Sequence, residues 1–142
     1  MNTRDFLSAF VVFLFFTACT DPELEADEVR LLSGEWTLEN VSGGLLGTNA
    51  EVNAGVANWN LNLFNNTLSV TTDLPLDDPD RGLLYFEEGV YTFELEEIDG
   101  PFLYTYTFTV EGRNEGTLSL RQGKLEFDSG LAVDKLLYRF RR

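Results

Sequence analysis

The sequence predicts an all-β protein: a small eight-stranded antiparallel up-and-down barrel, with a two-sheet β-sandwich as the alternative. Three observations carry that reading. From Ser33 onward the apolar residues recur with period two and helical spacing is nearly absent. Turn-forming Asn, Gly and Pro residues separate these runs. The alternating runs number eight and are joined mostly by short connections, an arrangement that closes naturally on itself.

The elements follow in order. Residues 20–30, acidic and poor in core-forming side chains, read as a tether, with a marginal helical turn allowed between Pro22 and Leu32. Trp36 and Leu38 alternate with Glu35, Thr37 and Glu39 in a first strand that ends at Ser42-Gly43-Gly44. Trp59, Leu61 and Leu63 alternate with Asn58, Asn60 and Asn62. After Asn65-Asn66, Leu68 and Val70 alternate back, which makes a hairpin, because Asn tolerates the positive φ of tight turns. Leu74 to Gly82, with two prolines and three aspartates, reads as a loop. Tyr91, Phe93 and Leu95 then share a face. After Asp99-Gly100-Pro101 so do Phe102, Tyr104, Tyr106, Phe108 and Val110, opposite the wetter Thr105, Thr107 and Thr109. Leu118 and Leu120, a Gln122-Gly123 turn, and Leu125 and Phe127 form another hairpin. Leu136, Tyr138, Phe140 and Arg142 share one face of the last strand.

Composition removes several classes of chemistry. The chain has one cysteine and no histidine, so a disulfide between two of its cysteines, imidazole metal sites, Ser-His-Asp triads and Cys-His dyads are excluded. Its formal charge of −14 is spread along the chain, and the few Lys and Arg residues form no stripe for phosphates, so nucleic acid is not expected as a partner. The same charge disfavours adhesion to anionic headgroups, which leaves membrane attachment to acyl chains.

The single cysteine, Cys19, follows an apolar run from Phe6 to Phe16 and the small residues Thr17 and Ala18. That run is shorter than the roughly 20 residues of a membrane span and suits a cleaved signal. Phe16-Thr17-Ala18-Cys19 resembles the lipobox of bacterial lipoproteins, with Phe16 in place of the usual Leu. A plain secretory signal with an incidental cysteine is the alternative. The resemblance implies a signal peptide over 1–18, acylation of Cys19, an acidic tether over 19–31, and one domain over 32–142. Removal of residues 1–18 from the 142 leaves 124, enough for one domain. Thr20 beside the cysteine implies placement in the outer membrane of the cell envelope.

Gly34-Glu35-Trp36 resembles the Gly-x-Trp motif that opens the first strand of lipocalins. The wider pattern is similar to lipocalin-like lipoproteins of the Bacteroidetes type. It comprises Gly34 to Gly44 as Gly-x-Trp-x-Leu-x-x-Val-x-Gly-Gly, the strand Trp59 to Leu63, Gly89 to Phe93 as Gly-x-Tyr-x-Phe, and Phe140 to Arg142 as Phe-x-Arg. The resemblance implies a lipocalin-like barrel closed at one end by an arginine over Trp36. Arg142 has the right parity for that role, and Arg139 and Arg141 are alternatives.

It also implies a non-catalytic protein that binds a small apolar ligand. The candidate pocket is lined by Trp59, Tyr91, Phe93, Tyr104, Tyr106, Phe108 and Tyr138. The alternative is that these rings are ordinary core and that the filled barrel serves as a structural or protein-interaction module. Asp77, Asp78, Asp80 and Gly82 alternate as calcium ligands do, but the pattern contains Pro79 and lacks a distal Glu, so a solvated loop is expected, with no metal and no cofactor. Glu94 and Glu96 form a carboxylate pair without a nucleophile or an oxyanion donor set, and the Asn58-Asn60-Asn62 row suits either sugar contact or solubility.

Overall fold

The computed structural model describes residues 26–142 except 46, 54, 101–103 and 131–134. Cys19, the signal region and most of the tether therefore lie outside the described residues, as do Pro101 and Phe102. Among the described residues no helix is long and apolar enough to cross a membrane.

A short helix, α1 (Ala26–Leu32), leads into nine strands: β1 (Gly34–Gly43), β2 (Thr48–Glu51), β3 (Asn58–Asn62), β4 (Thr67–Thr71), β5 (Gly89–Glu97), β6 (Tyr104–Val110), β7 (Arg113–Arg121), β8 (Lys124–Asp128) and β9 (Leu136–Arg141). Neighbours pair antiparallel in the order β2-β1-β3-β4-β5-β6-β7-β8-β9, and β1 pairs again with β9. That last pairing closes the sheet, so the fold is an eight-stranded up-and-down barrel with one extra strand, and the sandwich is excluded. Thr37 lies in register with both Asn58 and Arg141, which puts β3 and β9 on opposite edges of β1. Ser42 faces both Asn49 and Leu137, so the extra strand β2 shares the edge that β3 uses.

Period-two alternation places the core as the sequence implies. Trp36, Leu38, Trp59, Leu61, Leu68, Val70, Phe93, Tyr106, Phe108, Leu118, Leu125, Phe127, Tyr138 and Phe140 are all buried. The alternation breaks once in β1. Leu38 faces Phe140, but Asn40 already faces Arg139, so Glu39 is the extra residue of a β-bulge. The inward parity shifts with it, from Trp36 and Leu38 to Val41.

Turn chemistry follows the same logic. Asn66, Gln122 and Glu111 adopt positive φ of 54°, 51° and 49°, each in the connection between consecutive antiparallel strands. Two features depart from the sequence reading. Four residues, Thr48–Glu51, form β2 with no apolar alternation, because the edge of β1 supplies the partner. Thr105, expected on the wet face, is 6 % exposed, because the chain at Gly100 folds back against its side chain.

The loop after β4 contains a 3-10 turn at Pro79–Leu83, started by Pro79 and capped by the Asp78 side chain, which accepts from the Asp80 amide at 2.8 Å. It then delivers Leu83, Leu84, Tyr85 and Phe86 to the core. This inward return was not visible as a strand or helix period.

Candidate functional site

Five of the seven aromatic residues proposed as a pocket are buried in the barrel interior: Trp59, Phe93, Tyr106, Phe108 and Tyr138. Tyr91 and Tyr104 are partly buried and pack against this core. Tyr91 also reaches outward, donating its hydroxyl to the Glu87 carbonyl at 2.8 Å.

The centre of the barrel is the Trp59 ring. Phe140 stands 4.4 Å from it, Phe86 and Phe127 each 5.5 Å and Phe108 6.2 Å, measured between ring centroids. Phe108 and Phe127 meet edge to face at 5.6 Å, and Phe93 contacts Phe108 at 5.8 Å. These tilted and edge-on contacts are the geometry that ring quadrupoles favour. Each ring so buried contributes about 1.5–3 kcal/mol. These rings form one contact network, one member of which, Phe86, comes from the loop and was not among the residues read as pocket. Its signal was the run Leu83-Leu84-Tyr85-Phe86, four apolar residues inside an otherwise acidic loop.

One end of the barrel carries Gly34, Trp36 and Arg142 together. The Arg142 guanidinium lies 4.7 Å from the centre of the Trp36 ring. Its Nη2 also donates to the carbonyl oxygens of Leu31 at 2.6 Å, Ser33 at 3.0 Å and Arg30 at 3.2 Å. Trp36 Nε1 donates to the Leu32 carbonyl at 2.8 Å. Between them, two side chains satisfy carbonyls that a helix leaves unpaired at its C-terminus. Gly34, at φ 121°, turns the chain from α1 into β1. Arg139, one of the alternatives, pairs instead with Glu126 at 3.0 Å on the outer face.

The other mouth is closed by the loop. Glu115 is the extra residue of a bulge in β7, since Phe108 faces Gly116 while Thr109 faces Asn114. Glu115 is only 7 % exposed, and its carboxylate accepts the Tyr85 hydroxyl at 2.7 Å and pairs with Arg113 at 3.4 Å. Burial, together with the adjacent Glu115 charge, pushes the Tyr85 phenol well above its usual range. Burial also raises Tyr138, whose ring stands 5.6 Å from that of Tyr85.

The remaining sequence candidates are scattered. Glu94 and Glu96 stand exposed on the outer face of β5. Asn58 accepts from the Thr37 hydroxyl at 2.9 Å, while Asn60 and Asn62 face solvent. Among the described residues, no three His, Cys, Asp or Glu side chains are gathered as a metal site requires. The surface depressions among Asn65, Asn66, Thr92 and Glu111, and among Arg121, Lys124, Glu126 and Arg139, are open and lie outside the barrel. Comparison with protein-family models, with curated proteins and with solved structures gave no match for the chain.

Proposed function

We propose that the chain is a lipid-anchored, non-catalytic protein of the bacterial cell envelope, lipocalin-like in kind, whose filled barrel is a structural or protein-interaction module that works through its outer surface. The observation that supports this reading is the ring cluster around Trp59, whose ring contacts those of Phe86, Phe108, Phe127 and Phe140. The anchor rests on the lipobox resemblance at Phe16-Thr17-Ala18-Cys19.

The test is native mass spectrometry of the purified protein beside titration with an environment-sensitive apolar dye. A mass free of adducts and no dye response are the expected results. A stoichiometric adduct of a few hundred daltons would overturn the filled-barrel reading. Fatty-acid labelling that persists in Cys19→Ala would overturn the anchor.

One observation favours the second reading, a carrier of a small apolar ligand. Phe86 fills its place from a loop and not from a strand, so it can leave without unzipping the sheet. Phe86→Ala removes a buried ring at a cost of about 3 kcal/mol or more and opens a site against Trp59 and Phe108. Under the filled-barrel reading wild type ignores the dye and Phe86→Ala binds it. Equal binding by both would favour the carrier.

A further inference from the structure

We propose that the α1-bearing end of the barrel, on the side of the β1–β9 seam, is the face that rests against the bilayer, with Phe64 and Leu31 entering the interface and the surrounding arginines and Lys124 meeting lipid phosphates. The proposal deepens the lipid-anchored reading and rests on it.

Four structural features converge on this end. Phe64, in the β3–β4 turn, is 88 % exposed, and Leu31, on α1, is 40 % exposed. The Leu63 amide meets the Ser33 hydroxyl at 3.5 Å, which sets the turn beside the exit from α1. Arg142 bonds the α1 carbonyls from the end of β9. The register Leu125↔Phe140 brings the β7–β8 turn, with Arg121 opposite Lys124, next to Arg141 and Arg142. Two exposed apolar side chains with cations on their seam side, and with Glu94 and Glu111 across the β3–β4 turn, offer an interfacial lipid contact on the seam side alone.

Charge at this end is divided between the two sides of the barrel. Around the seam, Arg30, Arg121, Lys124, Arg139, Arg141 and Arg142 stand against Asp27, Glu35, Glu39 and Glu126, a surplus of two positive charges in a chain whose formal charge is −14. Glu39 and Glu126 are themselves paired to Lys124 and Arg139. The β5–β6 hairpin reaches the same end of the barrel, since Tyr104 faces Leu120 beside the β7–β8 turn, and it carries Glu94, Glu96, Glu97 and Asp99 with no Lys or Arg from residue 89 to residue 110, so the basic surface is confined to the seam side. The opposite mouth holds residues 72–88, with six carboxylates and Arg81 alone. Leu76 is 87 % exposed there, but in that acidic setting an anionic bilayer would repel it. An acyl group on Cys19 would also keep this end within reach of the bilayer. Cys19 precedes Ala26 by seven residues, so the chain between them spans at most roughly 25 Å, and Ala26 opens the helix at this end.

The test uses the full chain produced in a lipidating bacterium, with its acylation read from the intact mass. Acylation consumes the thiol of Cys19, so a cysteine introduced as Phe64→Cys or Leu76→Cys is the site for a thiol-reactive, environment-sensitive fluorophore. The protein is reconstituted into vesicles of phosphatidylethanolamine with a minority of phosphatidylglycerol and a nitroxide-bearing lipid. The expected result is a blue-shifted, nitroxide-quenched label at position 64 and an unshifted, unquenched one at 76, with most of the quenching at 64 lost in Arg121→Glu/Arg141→Glu. Acylated protein with both labels in water, or with 76 as the quenched position, overturns the proposal. A blue shift at 64 without lipid quenching, accompanied by a doubled mass, assigns the surface to a second copy and also overturns it. If the mass shows no acyl group, the anchor reading fails separately. The label is then placed in a Cys19→Ala background, where flotation with quenching at 64 still supports the lipid-facing surface and no flotation overturns it.

Discussion

Arg142 shows how much one terminal side chain organises. It combines a cation–π contact with Trp36, about 0.5–1 kcal/mol at an exposed site, with three bonds to carbonyls at the end of α1. Arg142→Ala is expected to lower stability by about 1–2 kcal/mol in urea unfolding, with Arg142→Lys recovering only part of it, because an ammonium cannot present the planar fork. Gly116 is a stricter case. Its φ of 140° follows directly on the Glu115 bulge, and a Cβ there would collide with the Asp128 carbonyl oxygen of the neighbouring strand. Gly116→Ala should cost about 2 kcal/mol or more. Gly123→Ala, at φ 76° in open space, should cost about 1 kcal/mol. The same denaturation series separates the two, and equal losses would contradict the steric account.

At the scale of elements, the loop between β4 and β5 does what no strand does, closing one mouth with Phe86 and fastening itself to the barrel through Tyr85 and Glu115. That fastening predicts a pH dependence. The Tyr85 phenol ionises near 10 when unfolded and at higher pH when folded. The unfolded state therefore loses its proton first, so stability is fully present below pH 10 and falls as pH rises through the folded value. Tyr138, raised in the same direction, adds to the fall. In urea midpoints taken from pH 8 to pH 11, wild type should fall more steeply above pH 10 than Tyr85→Phe. Below pH 10 the variant should be the less stable by about 1–3 kcal/mol, because the buried Glu115 carboxylate loses a donor. Parallel curves would remove Tyr85 from the account. The β1 bulge at Glu39 works differently. It re-aims Val41 inward and, with β2 and β3 sharing one edge of β1, lets nine strands fit an eight-strand barrel.

Across the whole molecule, burial is uneven. Tyr106, Phe108, Leu118, Leu125 and Phe127 are all 0 % exposed, whereas β2 has no fully buried residue and one partner strand. Amide hydrogen exchange should therefore be slowest in β6, β7 and β8 and fastest in β2, and early protection of β2 would contradict the ranking. The strand faces, the hairpin turns at Asn65-Asn66 and Gln122-Gly123, and the inward parity of Trp36, Tyr138 and Phe140 were legible in the sequence, because period-two patterning and positive-φ residues are local signals. So were the rings of the interior, though not whether they leave room, since periodicity reports which face a residue takes and not how far opposite faces stand apart. Only the tertiary structure decided closure over sandwich, through the β1–β9 pairing between the two ends of the domain. It alone brought Phe86 to Trp59, Tyr85 to Glu115 and β2 to the edge of β1, contacts between segments whose own sequences lack the period that would announce them. Its other decision was to gather cations along the β1–β9 seam of an acidic chain, because charge in space depends on which strands the barrel makes neighbours.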